Sequence, residues 1–216
     1  TISGTTTNVS NEDTYLLGLD DVGSTMTVSV SYTDQALYQE NVISAPTGEI
    51  LRFKPVNRDA LKTAFNLASS NSANALLQYG EVNLWDTSLI TDMNNLYYYN
   101  NSFALGWGWF NPDISNWDVS NVTNMRYMFY RSKGFNININ GWDVSKVKDM
   151  YQMFGYCTWF NQPLDEWDVS QVTDMRNMFS YATDFNQNLR DWDVQPNTTL
   201  YYMFNGATRM TNNHAT

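Results

Sequence analysis

An evenly spaced repeat, running from near Trp85 to the C-terminal region, constrains this chain more than any other feature. Trp117, Trp142, Trp167 and Trp192 mark its constant step, and Phe110, Phe135, Phe160 and Phe185 follow it, each preceding an asparagine. Four further columns keep the same register: Ile114/Ile139/Leu164/Leu189, Met125/Met150/Met175/Leu200, Met128/Met153/Met178/Met203 and Phe129/Phe154/Phe179/Phe204. A unit this short cannot bury an apolar face alone, so neighbouring units must stack and share one core. An earlier unit starts at Trp85, with Asp86, Met93, Leu96 and Tyr97 in matching columns. Its span from Trp85 to Trp117 exceeds the regular step by seven, and the surplus falls at 101–108, which predicts a bulge. At the far end Gln195-Pro196-Asn197 replaces Ser-x-Val and Met210 replaces the next Phe. Irregular ends of this kind suit a stack that must cover its terminal faces.

Within one unit, Trp167 and Val169 alternate with charged residues, which predicts a short strand. Thr173 or Asp174 is placed to cap a following helical turn, and Met175, Met178 and Phe179 fall on one helical face. The expected fold is therefore an α/β repeat solenoid, leucine-rich-repeat-like, with one short strand and one short helix in each repeat.

The motif Trp-Asp-Val-Ser-x-Val-Thr-x-Met-x-x-Met-Phe at 167–179, followed by Phe-Asn-Gln at 185–187, resembles the BspA-type leucine-rich-repeat bacterial surface proteins. The resemblance covers about Trp85 to Met210. It implies a secreted or surface-displayed protein that binds molecules of a host or neighbouring cell. It implies no enzyme and transfers no residue-level site.

Residues 1–58 lack the period. Thr14–Leu19, Thr25–Tyr32 and Glu49–Phe53 have strand-like content between turn signals such as Asp20-Asp21-Val22-Gly23, so this stretch reads as a small β-rich N-terminal cap or side domain. Leu61, Ala64, Phe65 and Ala68 share one helical face, which predicts a helix over 59–68 within a segment, 59–84, that covers the first repeat. The solenoid follows at 85–210, and 211–216 forms a tail.

Charge narrows the partner class. Twelve Lys+Arg against 22 Asp+Glu leave a net charge of −10. Nucleic acid is not expected as a partner, because phosphate binding needs clustered cations. No apolar run reaches a membrane span, and Thr1-Ile2-Ser3-Gly4 has neither the basic start nor the apolar stretch of a signal peptide, so the chain reads as a mature protein or an excised module of a larger one, expected to be monomeric and without membrane insertion. The single cysteine, Cys157, excludes an internal disulfide and a thiolate metal cluster. Calcium could sit near Asp13, Asp20 and Asp21, but no spacing motif supports it; no cofactor is expected. The Asn-x-Ser/Thr triplets at 8, 100, 121 and 197 carry little weight in an Asn-rich chain.

Recurring Trp, Met and Phe columns are read as core, and Cys157, which shares its column with Ser132, Ala182 and Ala207, as a small buried residue. The Asp column (Asp86, Asp118, Asp143, Asp168, Asp193) is either a cation strip or a set of carboxylates that accept N–H groups of their own turns. Aromatic residues outside the core columns are the better ligand candidates: Tyr98, Tyr99, Trp107 and Trp109 at the bulge, with Arg131, Tyr156 and Trp159 in matching columns. Catalytic motifs are lacking, and the one histidine, His214, lies in the tail. The leading expectation is a noncatalytic extracellular adhesin module that binds a protein or peptide. A carbohydrate-binding module and an ice-binding or ordered-water surface are the alternatives. If the bulge binds carbohydrate, a glycan array shows hits that Trp107→Ala and Trp109→Ala each weaken; an array without a hit removes that reading.

Overall fold

The computed structural model describes residues 24, 26, 29–33, 39–44, 52–97 and 111–210. The chain forms two compact bodies, Thr1–Arg52 and Phe53–Thr216. In the first, β1 (Ser29–Thr33) pairs antiparallel with β2 (Gln39–Ile43), with Ser31 opposite Asn41. β1 overlaps the strand expected at Thr25–Tyr32. β2 was not expected, because Gln-Glu-Asn-Val-Ile shows no apolar alternation. The segment Thr14–Leu19 lies outside the described residues. Arg52 and Phe53, the described part of Glu49–Phe53, are not in a strand.

The second body opens at Phe53, whose ring lies 4.6 Å from that of Tyr79 and 5.2 Å from that of Trp85. These contacts draw residues 53–58 into the second body. Helix α1 (Arg58–Ser70) starts where the Asn57 side chain accepts the Ala60 N–H at 2.9 Å, an N-cap that satisfies one of the unpaired donors of the first turn. Its apolar face, Leu61, Ala64, Phe65 and Ala68, is buried. Phe65 packs against Trp85, Tyr97 and Trp117. Helix α2 (Ser72–Tyr79) follows at once and stops at Gly80, which takes the positive φ (69°) that ends helices cheaply.

The repeats then stack through their backbones. The Met150 N–H donates to the Asp174 carbonyl at 2.8 Å, Gln152 to Arg176 at 3.0 Å, Phe154 to Met178 at 2.9 Å and Tyr156 to Ser180 at 2.7 Å. The intervening N–H groups close turns inside their own repeat: Met153 to Met150, Gly155 to Gln152 and Cys157 to Phe154. The same alternation recurs at each junction. It also resumes across the surplus residues, where Met93 donates to Asn124 at 2.9 Å.

This arrangement corrects the expected strand and helix in each repeat. Trp167-Asp168-Val169 carries no strand; it sits between turns closed by Trp167 to Leu164 and Val172 to Val169. Parallel bridges fall instead on single residues, linking Asp92, Asn124, Asp149, Asp174 and Thr199 in sequence. The Met-x-x-Met-Phe segment is a run of tight turns with left-handed residues, for example Gln152 (φ 50°) and Tyr156 (φ 61°). A helix would keep its N–H groups within its own segment. Here every second N–H goes to the next repeat, while the i, i+3, i+4 apolar spacing still faces one side.

The core is columnar. Phe154 lies 4.1 Å from Phe160 in its own repeat, and 5.5 and 5.4 Å from Phe129 and Phe179 in the flanking ones, all with near-parallel rings. Those spacings sit slightly above the roughly 4.8 Å between hydrogen-bonded strands, close enough for offset stacking. Trp85, Trp117, Trp142, Trp167 and Trp192 are buried, and the indole N–H of the later ones donates to a carbonyl of the preceding segment: Trp142 to Ile114, Trp167 to Ile139 and Trp192 to Leu164. Asn111, Asn136 and Asn161 form a further ladder, each Oδ1 accepting the backbone N–H of the next Asn in the column. At the last repeat the N–H groups of Leu200, Tyr202, Phe204 and Gly206 have no acceptor among the described residues, so the ladder stops on a row of donors. Phe154→Ala is expected to cost about 3–5 kcal/mol, measured by urea denaturation; a cost under about 1 kcal/mol would contradict the shared core.

Candidate binding face

The left-handed turns set an outward face. In each repeat the residue after the first Met (Leu200 in the last), the first left-handed position and the residues around the second stand outside the buried core. They are Arg126, Tyr127, Tyr130 and Arg131 in one repeat, Tyr151 and Tyr156 in the next, Arg176 and Tyr181 in the third, and Tyr201 and Tyr202 in the fourth. The Arg126 guanidinium lies 4.0 Å from the centre of the Tyr151 ring, and that of Arg176 lies 5.2 Å from the same ring. Arg131 sits 5.2 Å from Tyr130 and 5.6 Å from Tyr156. Tyr156 stacks on Tyr181 at 4.8 Å and 14°.

Glycines seat two of these rings. A Cβ on Gly155 would meet the Tyr130 ring at 3.0 Å, and one on Gly206, whose φ is 73°, would meet the Tyr181 ring at 2.6 Å. Carboxylates hold two of the cations: Asp149 faces Arg126 at 3.5 Å and Asp174 faces Arg176 at 2.6 Å. Burial, then a hydrogen bond with Tyr151, holds the Tyr127 phenol above its ordinary pKa. The face thus combines flat aromatic surface with cations whose planar heads are oriented by stacking, which lowers the entropy lost when a partner docks.

Of the ligand candidates named from sequence, Tyr98, Tyr99, Trp107 and Trp109 lie outside the described residues. Arg131 and Tyr156 come together on this face. Trp159 is 45% exposed, three residues further along its repeat, with its backbone N–H donating to Lys133. Sequence reasoning did not single out Arg126, Tyr127, Tyr130, Tyr151 or Arg176. The available signal was the position after the first Met, which reads Arg126, Tyr151, Arg176, Tyr201 down the stack.

Four carboxylates of the Asp column are tied to their own turns. Ser88, Ser120, Ser145 and Ser170 donate their N–H groups to Asp86, Asp118, Asp143 and Asp168 at 3.0–3.1 Å. Hydrogen bonds from Ser145 and Ser170 hold the Asp143 and Asp168 carboxyls below their usual range. Partial burial works against the Asp86 carboxylate, but hydrogen bonds from Lys54 and Ser88 outweigh it and bring its pKa down to about 2. Among the described residues no group of three or more His, Cys, Asp or Glu is placed to hold a metal ion. Asp13, Asp20 and Asp21 lie outside them.

The threonine hydroxyls near the bridge column donate to backbone carbonyls of the preceding repeat: Thr123 to Thr91, Thr173 to Lys148 and Thr198 to Val172. Cys157 is buried; its thiol donates to the Phe129 carbonyl, and burial pushes its pKa well up.

The family described as "Mycoplasma protein of unknown function, DUF285" matches residues 59–108 and 105–216. The chain belongs to this family. The DUF285 match begins within α1 and takes in every repeat of the stack, including the Arg/Tyr face. No curated protein and no solved structure matches the chain. Among the described residues no helix is long and apolar enough to cross a membrane.

The lowered Asp86 pKa carries a pH consequence. A carboxylate whose folded pKa is depressed adds stability above its ordinary value and loses it as pH falls through the folded value. The contribution of Asp86 should fade between about pH 4 and its folded value of about 2. Asp86→Asn should therefore flatten the fall in melting temperature over that window; an unchanged slope would count against the Lys54–Asp86 pairing.

Proposed function

We propose that the stacked repeats form a leucine-rich-repeat-like solenoid of the BspA type, serving as a noncatalytic extracellular or cell-surface adhesin module. The module binds a protein or peptide of a host or neighbouring cell. It acts as a monomeric part of a larger surface chain. One observation carries this reading: the outward Arg/Tyr face, in which Tyr156 stacks on Tyr181 and Arg131 leans over Tyr156. Tyr and Arg dominate the energetics of protein interfaces, because each offers large contact area, oriented hydrogen-bonding capacity and little entropy to lose. Tyr181 is 43% exposed and Tyr201 and Tyr202 more so, which leaves ring surface free for a partner. Serial presentation along the repeats also suits an extended segment laid across several of them, as in other solenoids.

The test uses fluorescently labelled protein on cultured epithelial cells. Saturable binding is expected, lost after the cells are shaved with trypsin and retained after mild periodate oxidation of their glycans. The Tyr156→Ala/Tyr181→Ala double variant should bind roughly thirtyfold more weakly, the effect of about 2 kcal/mol at an interface hot spot, with its melting temperature showing that the stack persists. Binding that periodate abolishes and trypsin spares would overturn the protein-partner reading in favour of a glycan.

A further inference from the structure

The face that carries the tyrosines is not electrically uniform. The chain has a net charge of −10, yet residues 120–148 hold Arg126, Arg131, Lys133, Lys146 and Lys148 against a single carboxylate, Asp143. That carboxylate is engaged by Ser145. Alternation along the repeat places Lys133 and Lys148 outward and exposed, with Arg131 exposed between the Tyr130 and Tyr156 rings. The backbone ladder joins these positions into one band across two repeats. Lys148 donates its N–H to Thr123, Met125 to Asp149, Tyr127 to Tyr151, Phe129 to Met153 and Arg131 to Gly155, so Lys148, Arg126 and Arg131 come in that order along one ladder, with Lys133 two residues beyond Arg131. Arg126 has Asp149 beside it, and Lys146 reaches the Asn121 side chain at 2.8 Å. Arg131, Lys133 and Lys148 have no carboxylate within ion-pair distance among the described residues.

We propose that this band docks an acidic segment of a protein partner, with Lys148, Arg131 and Lys133 meeting its carboxylates and the Tyr151 and Tyr156 rings packing its backbone. The inference rests on the protein-binding reading above and names the chemistry of the partner. Unmatched surface cations in an acidic protein lower the potential energy of an approaching anion locally while the rest of the molecule repels it, which selects both partner and orientation. A polyanion of uniformly high charge density fits less well. Asp149 and Asp174 stand within the same face, whereas a peptide with spaced carboxylates can pass them.

The experiment measures fluorescence anisotropy of the intact chain with a fluorescein-labelled dodecapeptide of alternating glutamate and glycine. The lysine–glycine counterpart and a labelled heparin dodecasaccharide serve as the other two arms. Binding is expected for the glutamate peptide alone, weakening as salt rises. Arg131→Glu/Lys148→Glu should weaken it roughly tenfold, and Arg131→Gln/Lys148→Gln roughly threefold, while Arg190→Glu, the same kind of charge change on another part of the stack, should stay within about twofold. The proposal is overturned if the glutamate peptide does not bind, if Arg190→Glu weakens binding as much as the band variant, or if the heparin fragment binds more tightly than the peptide. Run beside the cell assay, the result separates the two readings. Tyrosine-dependent cell binding without peptide binding defeats this inference alone, and loss of protein-dependent cell binding defeats the adhesin reading.

Discussion

The backbone ladder between repeats is the constraint on which the rest depends. Donation from Met150, Gln152, Phe154 and Tyr156 to carbonyls of the following repeat places equivalent residues of successive repeats one above another. An unpaired buried N–H costs as much as a lost hydrogen bond, so the register cannot slip without leaving several donors unmet. The insertion before Trp117 shows how firmly it holds: seven extra residues intervene, yet Met93 and Asn95 donate to Asn124 and Arg126 as their counterparts do elsewhere.

Stacking like on like has opposite consequences for apolar and charged columns. Phenylalanines in register gain offset ring stacking and a continuous dry core, so Phe recurs through the columns of Phe154 and Phe160 and gives way only at their ends, to Tyr97 and Met210. Carboxylates in register repel. Each Asp of the Asp86–Asp168 column is therefore engaged by the Ser two residues on, which anchors the turn and, at Asp86 and Asp168, helps to lower the pKa. On the outward face the solution is alternation. Arg126, Tyr151 and Arg176 interleave down the column after the first Met, so each guanidinium faces a ring rather than another guanidinium. The ends differ as well: α1 covers the first repeat with Phe65, while the last leaves a row of donors.

The period, the core columns and the helical face of α1 were legible in the amino-acid order, because each depends on residues a fixed step apart; the ties between Asp and Ser were one of two readings that the order left open. The local conformation of Met-x-x-Met-Phe was not. The i, i+3, i+4 spacing of Met175, Met178 and Phe179 is common to a helix and to successive tight turns. What separates them is whether alternate N–H groups find partners in the next repeat. Tyr127, Gln152 and Asn177 adopt positive φ although none is glycine, a strain of about 1 kcal/mol or more each that only the surrounding hydrogen bonds can hold.

Arg131 and Tyr156 could be paired from their shared column, but Arg126 and Tyr151 acquired significance only once the turns pointed them outward together. Sequence by itself determined that this chain must stack short, equally spaced units and which side chains fill the interior, since burial of Trp, Met and Phe at that period leaves no other use for them. Tertiary structure alone decided that the units are built from linked turns, and which exposed residues meet. Both follow from hydrogen bonds and ring contacts between repeats, which no single repeat contains.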